Sequence, residues 1–141
     1  MTVPHKDFAS REAFDAALVS ALRAADVNWI VLAGFMRVLT PEFLRAFQGR
    51  IINIHPSLLP SFPGVDAPKQ ALDYGVKVTG CTVHFVDQGV DSGKIIAQRA
   101  VPVEPGDDLS TLGSRLHIAE HELFVHVLCE IAAGNIVPFE G

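Results

Sequence analysis

Trp29-Ile30-Val31-Leu32-Ala33-Gly34 decides the fold, together with the later run Ile51-Ile52-Asn53-Ile54. The first run is apolar at every position until Gly34 ends it and is too short for a helix, so it reads as a strand covered on both faces, as in a parallel sheet. Between the two runs, Thr40-Pro41-Glu42 places an N-cap, a proline at the first helical position and an acid near the positive helix end, and Gly49 supplies the stop. Strand, short helix and strand form a βαβ unit whose crossover should be right-handed. The predicted class is α/β, with a mostly parallel sheet, flanking helices and a long C-terminal helix.

Working outward, Ser10 sits where an N-cap belongs and Glu12 favours a first turn. Apolar residues then recur at Ala13, Phe14, Ala17, Leu18, Ala21, Leu22 and Ala25, the spacing of an amphipathic helix. After the second strand, Pro56, Pro60 and Pro63 make an extended loop that cannot be helical. A helix of about two turns around Gln70 to Tyr74, stopped by Gly75, should follow. Strand signals return over Lys77 to Val86 and Lys94 to Val103, separated by the loop Asp87 to Gly93, and the two strands can pair antiparallel. A long helix runs from about Ser110 to Ala133, with Leu109, Leu112, Leu116, Ala119, Leu123 and Val127 on one stripe and Gly134-Asn135 closing it.

The length of 141 residues fits one compact domain, and 49% hydrophobic against 19% charged residues excludes a disordered chain. Sixteen acids against 11 bases leave a net charge of −5 without a basic cluster, so no nucleic-acid partner is expected. Cys81 and Cys129 form no Cys-x-x-Cys pair and read as buried thiols in a reducing compartment. The longest apolar stretch, Trp29 to Met36, falls far short of the roughly 20 residues that span a bilayer, and no signal-peptide core precedes Phe8. A cytoplasmic protein without a membrane partner is the expectation.

The most informative local feature is Asn53-Ile54-His55-Pro56-Ser57-Leu58-Leu59-Pro60. Residues two apart on a strand share a side, so Asn53 and His55 project together at a C-terminal strand end, where open α/β sheets place their ligands. An amide donor beside an imidazole can polarise a carbonyl and move a proton near neutral pH. The same spacing also suits a hydrogen-bonded histidine at a strand end. Val90-Asp91-Ser92-Gly93 offers a carboxylate in a loop that Gly89 and Gly93 let turn tightly, and Asp91 near His55 would favour the imidazolium. An Asx-turn role for Asp91 stays open.

Other residues carry weaker signals. His117-Ile118-Ala119-Glu120-His121 matches the H-x-x-E-H string of one zinc-peptidase class, but a third ligand has few candidates after it, so a polar helix edge beside a pocket is preferred. His84, with Thr82 on the same strand side, reads as a hydrogen-bonded core histidine that could buttress His55. Arg37 follows a buried strand, where a cation could grip an anion. Neither Ser57 nor either cysteine sits in a nucleophile elbow.

From Phe8 to Asn135 the chain resembles the phosphoribosylglycinamide formyltransferases of de novo purine synthesis. The resemblance rests on Ser10-Arg11-Glu12-Ala13-Phe14-Asp15, Leu32-Ala33-Gly34-Phe35-Met36-Arg37-Val38-Leu39, Asn53 to Pro60, Gly80-Cys81-Thr82-Val83-His84-Phe85-Val86 and Ala119-Glu120-His121. It implies a Rossmann-like formyltransferase fold and formyl transfer from 10-formyltetrahydrofolate to the amine of glycinamide ribonucleotide, with no metal. On matching positions, Asn53 would hold the formyl oxygen, His55 would stabilise the tetrahedral intermediate and assist proton movement, and Asp91 would organise His55 and water. Arg11, Met36, Arg37, Val38, Leu39, Asn53, Val86 and Asp87 fall on the implied folate side, Pro56 and Glu120 on the nucleotide side. Lys94 stands where many relatives have proline and Asp66 where some have histidine, neither at a proposed catalytic position.

The family's first strand and its Gly-rich phosphate loop match nothing before Phe8. The expectation is therefore an incomplete formyltransferase domain whose exposed sheet edge is covered by a second copy or a partner segment. Two alternatives stay open: hydrolysis of the formyl-folate with water in place of the amine, and a catalytically silent folate-binding domain.

Overall fold

A computed structural model describes residues 8–32, 39–88 and 91–139. In chain order the elements are α1 (Arg11–Ala24), β1 (Ile30–Leu32), α2 (Pro41–Ala46), β2 (Ile51–His55), α3 (Ala67–Tyr74), β3 (Val78–Phe85), β4 (Ile95–Pro102) and α4 (Leu109–Ala132). The caps read from sequence close these helices: Ser10 Oγ accepts the Ala13 N–H at 3.1 Å, and Thr40 Oγ1 accepts that of Phe43 at 3.3 Å. The start of α4 carries more than its apolar stripe announced. Asp108 and Thr111 form a capping box, and Asp107 accepts from Arg115 at 2.8 and 3.1 Å. The Arg115 guanidinium, then the Glu104 N–H, holds the Asp107 carboxyl well below the ordinary carboxylate range.

The strands form one sheet in the order β1-β2-β3-β4. β1 and β2 pair in parallel, whereas β2 with β3 and β3 with β4 pair antiparallel. The α/β class holds and the final hairpin is antiparallel as read, but the sheet is mixed, with its parallel pairing confined to the β1 edge. The reason lies in the connection from β2 to β3. The loop after β2 stays at the C-terminal end of that strand, with Leu59 bonded to Thr82 and Phe62 to His55, so β3 enters the sheet from that end and runs back antiparallel.

Strand alternation separates two cores. On one face Ile52, Cys81, Val83 and Phe85 pack against Leu112, Leu116, Ala119, Leu123 and Val127 of α4. On the other, Ile30 and Ile51 pack with Val19, Leu39, Phe43 and Phe47. Two predicted stripes shift. Leu109 is 53% exposed and leaves the α4 stripe, and Cys129, read from sequence as buried, is exposed because it lies off that stripe. In α1 the predicted Leu18 and Leu22 are half-buried against the second core, but the buried positions are Asp15 and Val19, because the Asp15 carboxylate turns inward to accept the Thr40 N–H at 3.0 Å and ties α1 to the start of α2. Past the second core, the same sheet face carries Asn53, His55, Thr82 and His84, which places polar side chains where the apolar layer ends.

Candidate active site

His55 is the last residue of β2 and is only 5% exposed. Its Nε2 lies 2.9 Å from the carbonyl oxygen of Phe62, and because a carbonyl only accepts, that contact keeps a proton on Nε2. Nδ1 lies 3.3 Å from Asp91 Oδ1, and the other carboxylate oxygen accepts the Gly64 N–H at 2.7 Å. Asp91 therefore links the imidazole to the loop that follows it.

Local backbone geometry delivers Asp91 to that position. Its own φ is +48° and that of Gly93 is +109°. A Cβ on Gly93 would lie 2.0 Å from the Phe85 carbonyl oxygen, so only glycine allows the loop to fold this closely onto the end of β3. Next to it the Phe85 N–H donates to the Lys94 carbonyl at 2.9 Å. Ser92 Oγ donates to Asp87 Oδ1 at 2.5 Å.

The proline-rich loop turns back over the strand rather than running away from it. Ser57, fully buried, donates from Oγ to the Ser61 carbonyl. Thr82, directly across the ladder from His55 and also fully buried, accepts the Leu59 N–H at 3.1 Å and donates to the Ser57 carbonyl at 2.7 Å. The Leu59-Pro60 peptide is cis, and Phe62 has φ +52°. These turns bring the Phe62 carbonyl over His55.

His84 is the buried histidine that the sequence suggested, 2% exposed, with Nδ1 2.9 Å from the Phe85 carbonyl. It stands opposite Asn53 rather than His55. Asn53 Oδ1 and His84 Nε2 are both buried without a hydrogen-bond partner among the described residues.

The fold thus brings Asn53, His55 and Asp91 to one strand end, with half-buried Pro56 following directly. Val86 is half-buried and donates its N–H to the Ile51 carbonyl at 2.9 Å, next to Asp87. Leu39 is buried in the second core, and Arg11 is exposed at the first position of α1. Glu120 lies on α4, 3.5 Å from His117 Nδ1. Met36, Arg37 and Val38 lie outside the described residues. No group of three or more His, Cys, Asp or Glu side chains among the described residues is placed to hold a metal ion. No described helix is long and apolar enough to cross a membrane. Sequence reasoning missed Phe62 and Gly64, which act through backbone atoms. The only available signal was the Pro63-Gly64 turn.

The family model described as formyl transferase matches residues 1–128. Phosphoribosylglycinamide formyltransferase of Mycobacterium tuberculosis (strain CDC 1551 / Oshkosh) is 48% identical over 135 residues, covering 96% of this chain and 63% of that protein. The trifunctional purine biosynthetic protein adenosine-3 of Drosophila pseudoobscura pseudoobscura is 55% identical over 136 residues, which is 10% of its length. The chain therefore spans less than two thirds of these relatives. Among solved structures, glycinamide ribonucleotide transformylase 1 from Symbiobacterium toebii matches with a TM-score of 0.91 at 49% identity, over 96% of this chain and 64% of that one. Phosphoribosylglycinamide formyltransferase from Brucella melitensis matches with a TM-score of 0.87 at 47% identity, over 97% of this chain and 70% of that one.

Proposed function

Because the chain belongs to the formyl transferase family, we propose that it transfers the formyl group of 10-formyltetrahydrofolate to the amine of glycinamide ribonucleotide, a cytoplasmic step of purine synthesis. The observation that carries this reading is the Asn53, His55 and Asp91 arrangement, with the imidazole 3.3 Å from the carboxylate at the end of β2. Attack of an amine on a formamide carbon needs an oxyanion stabiliser and proton transfers, not a nucleophilic side chain. Asn53 Nδ2 donates to the formyl oxygen. As the new C–N bond forms, that oxygen becomes an alkoxide, and it takes over the His55 Nε2–H that the Phe62 carbonyl otherwise accepts. Asp91, 3.3 Å from Nδ1, holds the ring in that orientation. A proton then passes from the attacking amine to the folate nitrogen, the old C–N bond breaks, and tetrahydrofolate leaves. Arg11, Met36, Arg37, Val38, Leu39, Val86 and Asp87 take the folate side in this reading, and Pro56 and Glu120 the nucleotide side.

The test is absorbance-monitored turnover of a 10-formyl-folate analogue by the purified chain, with and without glycinamide ribonucleotide. Turnover that requires the nucleotide supports transfer. Equal folate release without it makes the chain a hydrolase, and no turnover under either condition refutes the proposal for this chain.

A further inference from the structure

We propose that Gln98 is a positioning residue for this transfer, acting on His55 through the 57–62 loop; the inference rests on the reading above in taking His55 as the group that carries the chemistry. Gln98 lies on β4, outside the residues that either the sequence or the family resemblance singles out. Across the sheet, His55 stands opposite Thr82, and Thr82 stands opposite Gln98. Directly opposed residues on antiparallel strands share a face, so the three form one row.

The Gln98 carboxamide nitrogen has two hydrogens and two acceptors, the Leu59 carbonyl at 3.0 Å and Thr82 Oγ1 at 3.0 Å. Thr82 Oγ1 in turn accepts the Leu59 N–H. Residue 59 is therefore gripped on both sides, its N–H by Thr82 and its carbonyl by Gln98. From that fixed point the chain turns through Pro60 and returns the Phe62 carbonyl to His55 Nε2 at 2.9 Å. With the Leu59 carbonyl released, the loop keeps its hold at Thr82 but gains a pivot there, and the Phe62 carbonyl drifts from the ring. The side chain acts as a pair of donors, so its effect follows the N–H groups and not its shape.

Three variants separate these possibilities. Gln98→Glu keeps the shape without donors, Gln98→Met keeps the length without polarity, and Gln98→Lys changes the shape but restores donors. Gln98 is exposed, and all three are expected to fold. Two readouts apply to the full chain: solvent exchange of the His55 Nε2 proton by nitrogen-resolved NMR without substrate, and kcat against KM. Gln98→Glu and Gln98→Met should speed that exchange and lower kcat by about tenfold, the equivalent of one lost hydrogen bond, while KM stays within about twofold. Gln98→Lys should recover most of both. A Gln98→Glu chain with wild-type exchange and kcat overturns the proposal, as does Gln98→Lys behaving like Gln98→Glu. If the wild-type chain does not turn over, the formyl-transfer reading fails, and the exchange measurement still decides the positioning role by itself.

Discussion

Replacing Thr82 by valine tests whether the loop over His55 is held by hydrogen bonds or merely packed. The two side chains are nearly the same size, and Thr82 is fully buried, so the change removes one hydroxyl and little volume. That hydroxyl accepts from Leu59 N–H and Gln98 Nε2 and donates to the Ser57 carbonyl. Gln98 retains the Leu59 carbonyl and is exposed, so its loss is small. The Leu59 N–H and the Ser57 carbonyl belong to residues 6% and 0% exposed and cannot turn to water. Leaving two buried backbone groups unpaired costs roughly 1–3 kcal/mol each, against about 0.8 kcal/mol gained by burying the extra methyl. The net expectation is a loss of about 2–4 kcal/mol, or roughly 10 °C in Tm for a chain of this size. Urea unfolding followed by circular dichroism gives the difference, with Thr82→Ser as the control that keeps the hydroxyl. A Thr82→Val chain within about 0.5 kcal/mol of wild type would refute the reasoning, because such a value is typical of a surface change. So would a Thr82→Ser chain damaged as much as Thr82→Val.

Acid should act through the start of α4. The Asp107 carboxyl is held below its ordinary range chiefly by Arg115, so it stabilises the fold above about pH 4, and that contribution fades as pH falls. Asp107→Asn should thus lower stability at pH 7, with the gap narrowing below about pH 4 in a urea series; a constant gap contradicts the sign. A disulfide reagent should find one fast thiol per folded chain, exposed Cys129, because burial pushes the Cys81 thiol up to about 11. A fast phase that survives Cys129→Ser would overturn that assignment. His55→Ala should lower formyl transfer by about 10² to 10⁴ with its circular dichroism spectrum retained, and near-wild-type turnover removes His55 from the mechanism. Asp91→Asn keeps an acceptor for Gly64 but loses the charge beside the ring, so turnover should fall while the thermal melt moves less than for Thr82→Val.

Elements that declare themselves within a few residues were legible. Ser10 and Thr40 cap helices because a short hydroxyl can meet a backbone N–H three residues on, which the local order of residues already encodes. The stripe from Leu112 to Val127 likewise fixes which side of α4 is buried. The direction of β3 was not legible, since it depends on the loop after β2 staying at that strand's C-terminal end through contacts of Leu59 with Thr82 and Phe62 with His55, which local sequence does not encode. Asp15 was hidden for a related reason. A carboxylate on an amphipathic helix reads as solvated until a distant N–H, here that of Thr40, is known to meet it. At the site, the shared side of Asn53 and His55 follows from strand alternation, whereas Asp91 needed the family resemblance, because an aspartate between glycines by itself reads as a turn residue. Phe62, Gly64 and Gln98 follow from neither, because backbone atoms carry no residue signature and a strand glutamine looks like any other polar position.

The loop after His55 is tied down at Leu59, Phe62 and Gly64 by four separate parts of the chain. Leu59 answers to β3 and β4, Phe62 to the end of β2, and Gly64 to the loop before β4. The length of the segment between residues 57 and 64 is therefore fixed as firmly as its composition. One residue added or removed there would shift at least one anchor by about 3.8 Å, the spacing of consecutive Cα atoms, and break it. Chains descended from this one should accumulate insertions and deletions elsewhere, for example in the exposed turn at Glu104 to Gly106, and leave this count untouched.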